Sequence, residues 1–473
     1  MPDLSIATRT GGTTTLPATT LDAFTTGLRG SALRAGDPEY DEARSIWNAM
    51  IDRRPALIVR CAGAADVIRC VNLATEHGLR VAVRSGGHNI AGAAMCNAGL
   101  VIDLSGMKEV RVDPRRRTAQ VSPGATLADF DQEAQAFGLA TPLGINSTTG
   151  VAGLTLGGGF GWLTRKRGLT IDNLLSADVV TANGELVTAS AKKEPDLFWG
   201  VRGGGGNLGV VTSFEFRLHR VGPEILSGLM VYPIADAADV IRHYRSFVAE
   251  APNELTVWLV LRQAPPLPFL PRNWHGREVL VVAACWLGAI RKGKSVLRPL
   301  RSYGKPIADV IGPHLYAGWQ QAFDPLLTPG ARNYWKSHNF SGLSDDTVRL
   351  LLDYAGRLPS PESEIFVAHL GGAANEVAAD ATAYPHRDAN FVMNVHTRWQ
   401  ERSQDQACVA WAREFFDATA PFATGGVYVN FISEGEDRVQ AAYGANYDRL
   451  ARLKRKYDPD NLFSTNQNVA PAR

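Results

Sequence analysis

Apolar positions in the first hundred residues follow two periods, and the alternation predicts which segments are strands and which are helices. PALIVRC, LRVAVRS and LVIDLS are short apolar runs of strand texture. Between them AADVIRCVNLATEHG places apolar side chains three and four apart, which predicts an amphipathic helix ending at Gly78. Repeated β-α-β units imply a mixed or parallel sheet with helical cover. From Thr118 the pattern predicts a strand, a turn at Pro123-Gly124 and a helix through ATLADFDQEAQAF. Periodicity then gives way to glycine, densest from Gly144 to Gly161 and again in RGGGGNLG, after which VVTSFEFRL alternates like a strand.

Beyond about residue 222 the glycine clusters stop. Helical patterns (DAADVIRHYRSFVAEA, DDTVRLLLDYAGRL, DQACVAWAREFFDATA) alternate with β runs (LTVWLVLRQA, EVLVVAACWLG, EIFVAHLGG, NFVMNVHTRW). This texture predicts a sheet covered by helices on one face, an α+β domain, with APPLPFLPRNWHG as a proline-rich surface loop. From Gly425 onward the chain turns Tyr- and Asn-rich, so three parts are expected: 1–222, 223–424 and 425–473.

Composition narrows the class without naming it. A chain of 473 residues, 45% hydrophobic and with a formal net charge of +2, has room for two or three domains with large cores. The near-neutral balance gives no footprint for nucleic acid or anionic lipid. The short clusters Arg115 to Arg117 and Lys454 to Lys456 read as solvated faces. Five scattered cysteines, never in a CxxC pair, indicate neither a disulfide framework nor a metal site. The Thr-rich N-terminus lacks a secretory pattern, and no run reaches the roughly 18 apolar residues of a spanning helix, so a cytoplasmic protein without a membrane segment is expected.

The glycine clusters carry the chemistry. Gly204, Gly206 and Gly209 have the spacing G-x-G-x-x-G, but a dinucleotide fingerprint opens a helix, and here a strand follows. No P-loop motif is present either. Three glycine-rich turns, at 84–92, 144–161 and 203–209, have the composition of anion-binding nests, in which backbone N–H groups hold a diphosphate. One of them, VRSGGHNIAG, keeps a single histidine, His88, where the backbone has been stripped for close approach.

VRSGGHNIAG, GINSTTGVAGLTLGGGFGWLTRKRGLTIDNLLSADVVTANGE, LFWGVRGGGGNLGVVTSFEF and the closing YVNF…YGANYDRLARLKRKYDPDNLFSTNQN occur in this order along nearly the whole chain. Together they resemble the berberine-bridge-enzyme-like branch of the vanillyl-alcohol-oxidase and p-cresol-methylhydroxylase flavoproteins. The resemblance implies a two-subdomain FAD-binding domain (1–222), a substrate domain with an antiparallel sheet under helices (223–424), and a C-terminal return (425–473) to the FAD-binding part. It implies a covalent bond from His88 to the flavin 8α-methyl carbon. Around it FAD would be held by Arg84, Ser85, Gly86, Gly87, Asn89 and Gly92, then by Gly144, Asn146, Thr149, Gly150, Gly153, Leu154, Gly158, Gly159 and Gly161. Gly209, Val210 and Val211 would follow, with Tyr443, Asn446, Asn466 and Asn468 from the tail. Many relatives carry a cysteine for a second link where this chain has Asn146, so single attachment is expected. Where some relatives have a histidine near the flavin pyrimidine this chain has Leu154, which leaves stabilisation of the reduced flavin to other donors. The small Gly144 would leave room for oxygen.

An oxidation by flavin requires a hydride donor carbon at N5 and, for an alcohol, a base. By resemblance Tyr428 in Y-x-N is the catalytic tyrosine, and a strand there would put Tyr428 and Asn430 on one face. A phenol titrates near 10 unperturbed, so it needs a neighbouring donor or cation to serve as base. Asn394 and His396 share a face of NFVMNVHTRW and are candidates for substrate binding or proton removal. The expected activity is a small-molecule oxidase reoxidised by oxygen to give hydrogen peroxide. A dehydrogenase with another acceptor and a non-catalytic flavin-binding protein remain the alternatives, with substrate and oligomeric state open.

Overall fold

The computed structural model describes residues 2–435 and 437–473. The apolar runs near the N-terminus become neighbours in a four-stranded sheet. Leu57–Arg60 and Val81–Arg84 both lie parallel to Leu100–Asp103, and Ser31–Leu33 pairs antiparallel at one edge. Helix Ala64–Glu76 drops Val67, Cys70, Val71 and Ala74 onto this sheet, burying one apolar stripe against Leu57, Val59 and Leu100. Strand Val81–Arg84 ends immediately before the Gly86-Gly87-His88 turn. The turn therefore leaves from the carboxyl end of a parallel strand, where open α/β sheets place their ligands.

A five-stranded antiparallel sheet follows, in the order Leu186–Ser190, Leu174–Val180, Val210–Arg217, Thr118–Val121 and Val110–Asp113. Helix Leu127–Gln135 packs on it, started by a capping box in which Thr126 and Asp129 each satisfy the other's backbone N–H.

All eight strands of the largest sheet come from Glu224–Trp399, and its neighbours pair antiparallel. Its strands read as near-continuous apolar runs because both faces are covered. Val257, Leu259 and Leu261 face a core shared with helices Ala237–Ala249, Ile290–Arg301, Asp345–Ala355 and Asp405–Thr419. Trp258, Val260 and Arg262, one residue out of phase, face the other way, Trp258 toward the main cavity and all three toward the smaller chamber described below. The molecule is thus an α+β protein.

After Gly425 the chain leaves this sheet. Val427, Val429, Ile432, Tyr443 and Leu450 share a core with the five-stranded sheet, and Leu462 and Phe463 join the core of the four-stranded one. The basic cluster here is not a solvated face throughout. Helical spacing turns Lys454 inward on Tyr447–Tyr457, where it is 0% exposed and donates to Asp458 Oδ2 at 2.6 Å and to the carbonyls of Asn207 and Phe463. Asp458 in turn accepts the backbone N–H groups of Leu462 and Phe463. The buried pair therefore fixes the tail against the GGGGN turn, at the expense of a lysine pKa lowered by burial.

TRKR forms a four-residue helix, Thr164–Arg167, with Arg165 buried and bonded to the carbonyls of Leu255 and Leu370. The proline-rich loop is a surface loop in part only, since Leu270 is buried and Leu267 and Phe269 pack against the sheet. All five cysteines are buried free thiols. Among the described residues no helix is long and apolar enough to cross a membrane.

Candidate active site

One cavity of ≈ 340 Å³ lies between the glycine-rich turns, the C-terminal segment and the outward face of the large sheet. Ser85, Gly86, Gly87, His88 and Asn89 line it from the first turn, and Gly144, Asn146, Thr149, Gly150, Gly153 and Leu154 from the second. Gly209, Val210, Val211, Tyr443 and Asn466 complete that end, while Tyr428, Asn430, Asn394 and His396 reach it from the substrate side.

The first two turns cross with no room for a side chain. A Cβ on Gly86 would stand 2.3 Å from Gly150 N, and one on Gly150 would stand 2.4 Å from Gly86 N. Gly153 is the opposite case: a Cβ there meets nothing within 4 Å, so its bare surface faces open space in the cavity wall. Gly144 does not provide such space, because a Cβ on it would point at Leu154 Cδ1, 3.0 Å away, and at Leu127. Its smallness serves packing.

His88 is oriented by a relay. Thr148 Oγ1 donates to Asn146 Oδ1 at 2.8 Å, which commits the hydroxyl proton, so the 2.9 Å contact between Thr148 Oγ1 and His88 Nε2 is a bond donated by the ring. That selects the Nε2–H tautomer and leaves the lone pair on Nδ1. Trp47 stacks on the ring at 5.2 Å, and burial pulls the imidazole pKa down to about 4, so the ring is neutral and nucleophilic near pH 7.

Tyr428 sits at the other end. The segment is no strand: Val429–Phe431 is a 3-10 turn with Tyr428 at its start. Even so Asn430 Nδ2 donates to Tyr428 Oη at 3.0 Å, and Gly159 N donates to the same oxygen at 3.1 Å. With two donors on Oη, the hydroxyl's own proton is left to point at a third partner. Burial pushes the phenol up to about 12 against the pull of Asn430 and Gly159, so it rests protonated. Phe160 and Phe431 pack edge-on around the ring at 5.0 and 4.9 Å.

His396 lines the cavity with both nitrogens engaged, Nδ1 by Glu364 Oε1 and Nε2 by Asn333 Oδ1, each at 3.2 Å. Both ring nitrogens are thus held within the wall by protein partners. Glu364 also accepts Arg262 Nη1 at 2.7 Å. Burial alone would raise the Glu364 carboxyl, but the Arg262 charge and the His396 bond outweigh it and hold it down at about 2. Asn394 Oδ1, by contrast, is buried without a protein partner among the described residues and is the free polar handle of this wall.

The remaining expected contacts lie outside the cavity lining. Arg84 donates to the Ala43 carbonyl, Gly92 packs on Ile51, and Gly161 backs onto the Leu143 carbonyl. Gly158 and Gly159 shape the turn that presents the amide to Tyr428. Asn446 ties the carbonyls of Ala379 and Thr382, and Asn468, half-buried with its Oδ1 covered, lies away from the lining. His386 bonds the Ala442 carbonyl and Arg387 makes a two-pronged pair with Asp172 at 2.8 Å. Sequence reasoning missed Thr148, Glu364 and Asn207. Thr148 lay within the quoted GINSTTG motif, and Glu364 opens a strand whose alternate positions face the cavity. Asn207, whose Nδ2 donates to Gly204 O and Gln467 O, sits inside GGGGNLG.

The donor set fits FAD. The amide N–H groups of Gly86, Gly87, His88 and Asn89 donate to no protein acceptor among the described residues, an uncommitted nest suited to an anion. The Gly153 surface leaves space for a flat ring. Fold and cavity together define an FAD-binding oxidoreductase.

Comparison with known proteins agrees. The family models described as "FAD binding domain" and "Berberine and berberine like" match residues 55–190 and 427–470. An FAD-linked oxidoreductase of Dictyostelium discoideum is 31% identical across 95% of this chain and 97% of its own. The (R)-6-hydroxynicotine oxidase of Paenarthrobacter nicotinovorans is also 31% identical, across 94% of this chain and 97% of that protein. The crystal structure of 6-hydroxy-D-nicotine oxidase from Arthrobacter nicotinovorans matches with a TM-score of 0.85 at 28% identity, covering 94% of this chain and 98% of that one. The chain belongs to the berberine-bridge-enzyme-like family of FAD-linked oxidoreductases.

Proposed function

We propose that the protein is an oxidase that dehydrogenates a C–O or C–N bond of a small organic substrate and holds FAD through one covalent bond at His88. The supporting observation is that His88, with Nε2 held by Thr148, and Tyr428, with Oη held by Asn430, line one and the same cavity. FAD, when bound, supplies the hydride acceptor at N5 and passes the electrons to oxygen, giving hydrogen peroxide. Tyr428 Oη takes the proton of the substrate hydroxyl or amine, and the N–H donors of Gly159 and Asn430 stabilise the phenolate that this requires. Asn394 Oδ1 accepts a hydrogen bond from the bound compound. The glycine-rich turns exclude water from the cofactor side and supply backbone donors in place of charged side chains.

Purified yellow protein screened for peroxide release against alcohols, amines and sugars tests the oxidase reading. Fast anaerobic bleaching with slow reoxidation in air would mark a dehydrogenase instead. Acid precipitation tests the link: the colour stays with the precipitated chain, and in His88→Ala it passes to the supernatant. Colour released from the unaltered protein would remove the covalent assignment.

A further inference from the structure

The sheet face that walls the cavity changes character across its width. One cross-strand row runs Asn394, Phe366, Val260, Val281, Val231, each paired with the next. Its polar handle is at the first residue, and every position beyond it is apolar. Past Phe366 and Trp258 a second chamber of ≈ 60 Å³ opens, sharing those two residues, Ile145, Leu327 and Glu364 with the cavity of Tyr428. Its roof is Pro265, Leu267 and Phe269 of the proline-rich loop, which the flavin chemistry leaves without a role.

The chamber is unsuited to water. Among the described residues the ionic groups on its wall are Arg262 and Glu364, which satisfy each other at 2.7 Å. An ordered water needs two to four polar partners, and the rest of the wall is aliphatic and aromatic apart from the indole N–H of Trp162. A sugar hydroxyl placed there would lose its hydration without replacement.

We propose that this chamber receives an apolar tail of the substrate, so that the compound oxidised at the Tyr428 end carries a short hydrophobic extension of about four heavy atoms. The proposal rests on the oxidase reading of the adjoining cavity. It sets the substrate class as an amphipathic alcohol or amine, with the reacting bond among Tyr428 and Asn394 and the tail under the loop. The row of cross-strand pairs fixes the direction in which the compound lies.

The test titrates the flavin-loaded protein with phenol and with 4-butylphenol, read by the change in flavin absorbance, which needs no turnover. Four methylenes moved from water into the chamber tighten 4-butylphenol over phenol on the order of 100-fold. Val281→Phe fills the chamber and brings the ratio to within about threefold of unity. Leu267→Asp, which puts a carboxylate into the roof without altering the sheet, lowers the same ratio. Equal affinity of the two phenols for the unaltered protein, or a ratio undiminished in both variants, overturns the proposal. The two readings fail separately. A large ratio in a protein whose flavin no alcohol or amine bleaches removes the oxidase reading and keeps the chamber, whereas peroxide release with no preference for the butyl group removes the chamber.

Discussion

The two ends of the cavity are made of different materials. At the cofactor end the wall is backbone: Gly86 and Gly150 cross with no room for a Cβ on either, Gly153 is bare, and the donors are main-chain amides. At the substrate end the wall is side chains standing on alternate positions of a sheet, with Glu364, His396 and Asn394 beside large aromatic rings. A backbone wall recognises what every bound flavin has in common. A side-chain wall is changed one residue at a time, so that is where specificity resides. Mutations that separate the two ends test this division.

The largest effect is expected where the ends meet. Tyr428→Phe keeps the ring among Phe160 and Phe431 and removes the oxygen proposed to take the substrate proton, so anaerobic flavin reduction by substrate is expected to slow on the order of 10²–10⁴-fold. Because burial holds the phenol up at about 12, the phenolate is a minor form at neutral pH. The reduction rate of the unaltered protein therefore rises about tenfold per pH unit between about pH 7 and 10, and that of Tyr428→Phe stays flat. Stopped-flow traces across that range decide it, and a flat profile in the unaltered protein would remove Tyr428 as base.

Next in size is the charge at the substrate end. Glu364→Ala leaves Arg262 and His396 buried without their common carboxylate and costs about 3–5 kcal/mol in urea unfolding. The pH dependence has a definite sign. The folded carboxyl is at about 2 against an unperturbed 4.5, so its contribution is complete above about pH 4.5 and is lost as pH falls toward 2, amounting to roughly 3 kcal/mol. Glu364→Gln flattens stability across that acid window, and a variant that keeps the full acid slope would show that other carboxylates carry it.

The cofactor end offers a sharper contrast between two glycines. Gly86→Ala forces a Cβ into Gly150 N and destabilises the protein by about 1–3 kcal/mol even without flavin. Gly153→Ala meets no protein atom within 4 Å and lies in helix Val151–Leu156. Alanine there stabilises the flavin-free chain by up to about 1 kcal/mol, yet it lowers the flavin-to-protein absorbance ratio because the methyl group occupies the bare surface. Equal flavin content in Gly153→Ala and the unaltered protein would mean that the flavin does not lie against that residue.

The contrast in materials also explains what the sequence made legible. Backbone walls are built from contiguous residues, so VRSGGHNIAG and GLTLGGGFG stand out in one dimension, as do the apolar runs of the large sheet. Side-chain walls are assembled across strands, and Glu364, Arg262 and His396 meet through pairings between residues up to 102 apart that no local period encodes. Tyr428 and Asn430 converge by a different local route from the one period-two reasoning gives, since a 3-10 turn and an amide bond to Oη bring them together. Lys454 shows the limit of reading charge runs, because one member of a basic triplet turned inward when a helix gave it Asp458 four residues on.

The smallest effect is expected at the relay behind His88, and it tests whether the cofactor end depends on backbone alone. Thr148→Val removes the acceptor that holds Nε2–H while leaving Trp47 stacked on the ring and the glycine turns intact. The neutral imidazole then exchanges between tautomers, and the ratio of the Nε2–H to the Nδ1–H form falls about two- to fivefold, by the roughly 0.5–1 kcal/mol of one partly exposed hydrogen bond, so the fraction with a lone pair on Nδ1 falls by up to about twofold. Binding of flavin is untouched, since no nest amide is altered, but its attachment slows in proportion. Mass spectrometry of the peptide containing His88, sampled as apoprotein is reconstituted with FAD, follows the slower gain of the flavin mass. Attachment at an unchanged rate in Thr148→Val would mean that the ring is oriented by Trp47 and the crossing glycines, and that the wall at this end is backbone throughout.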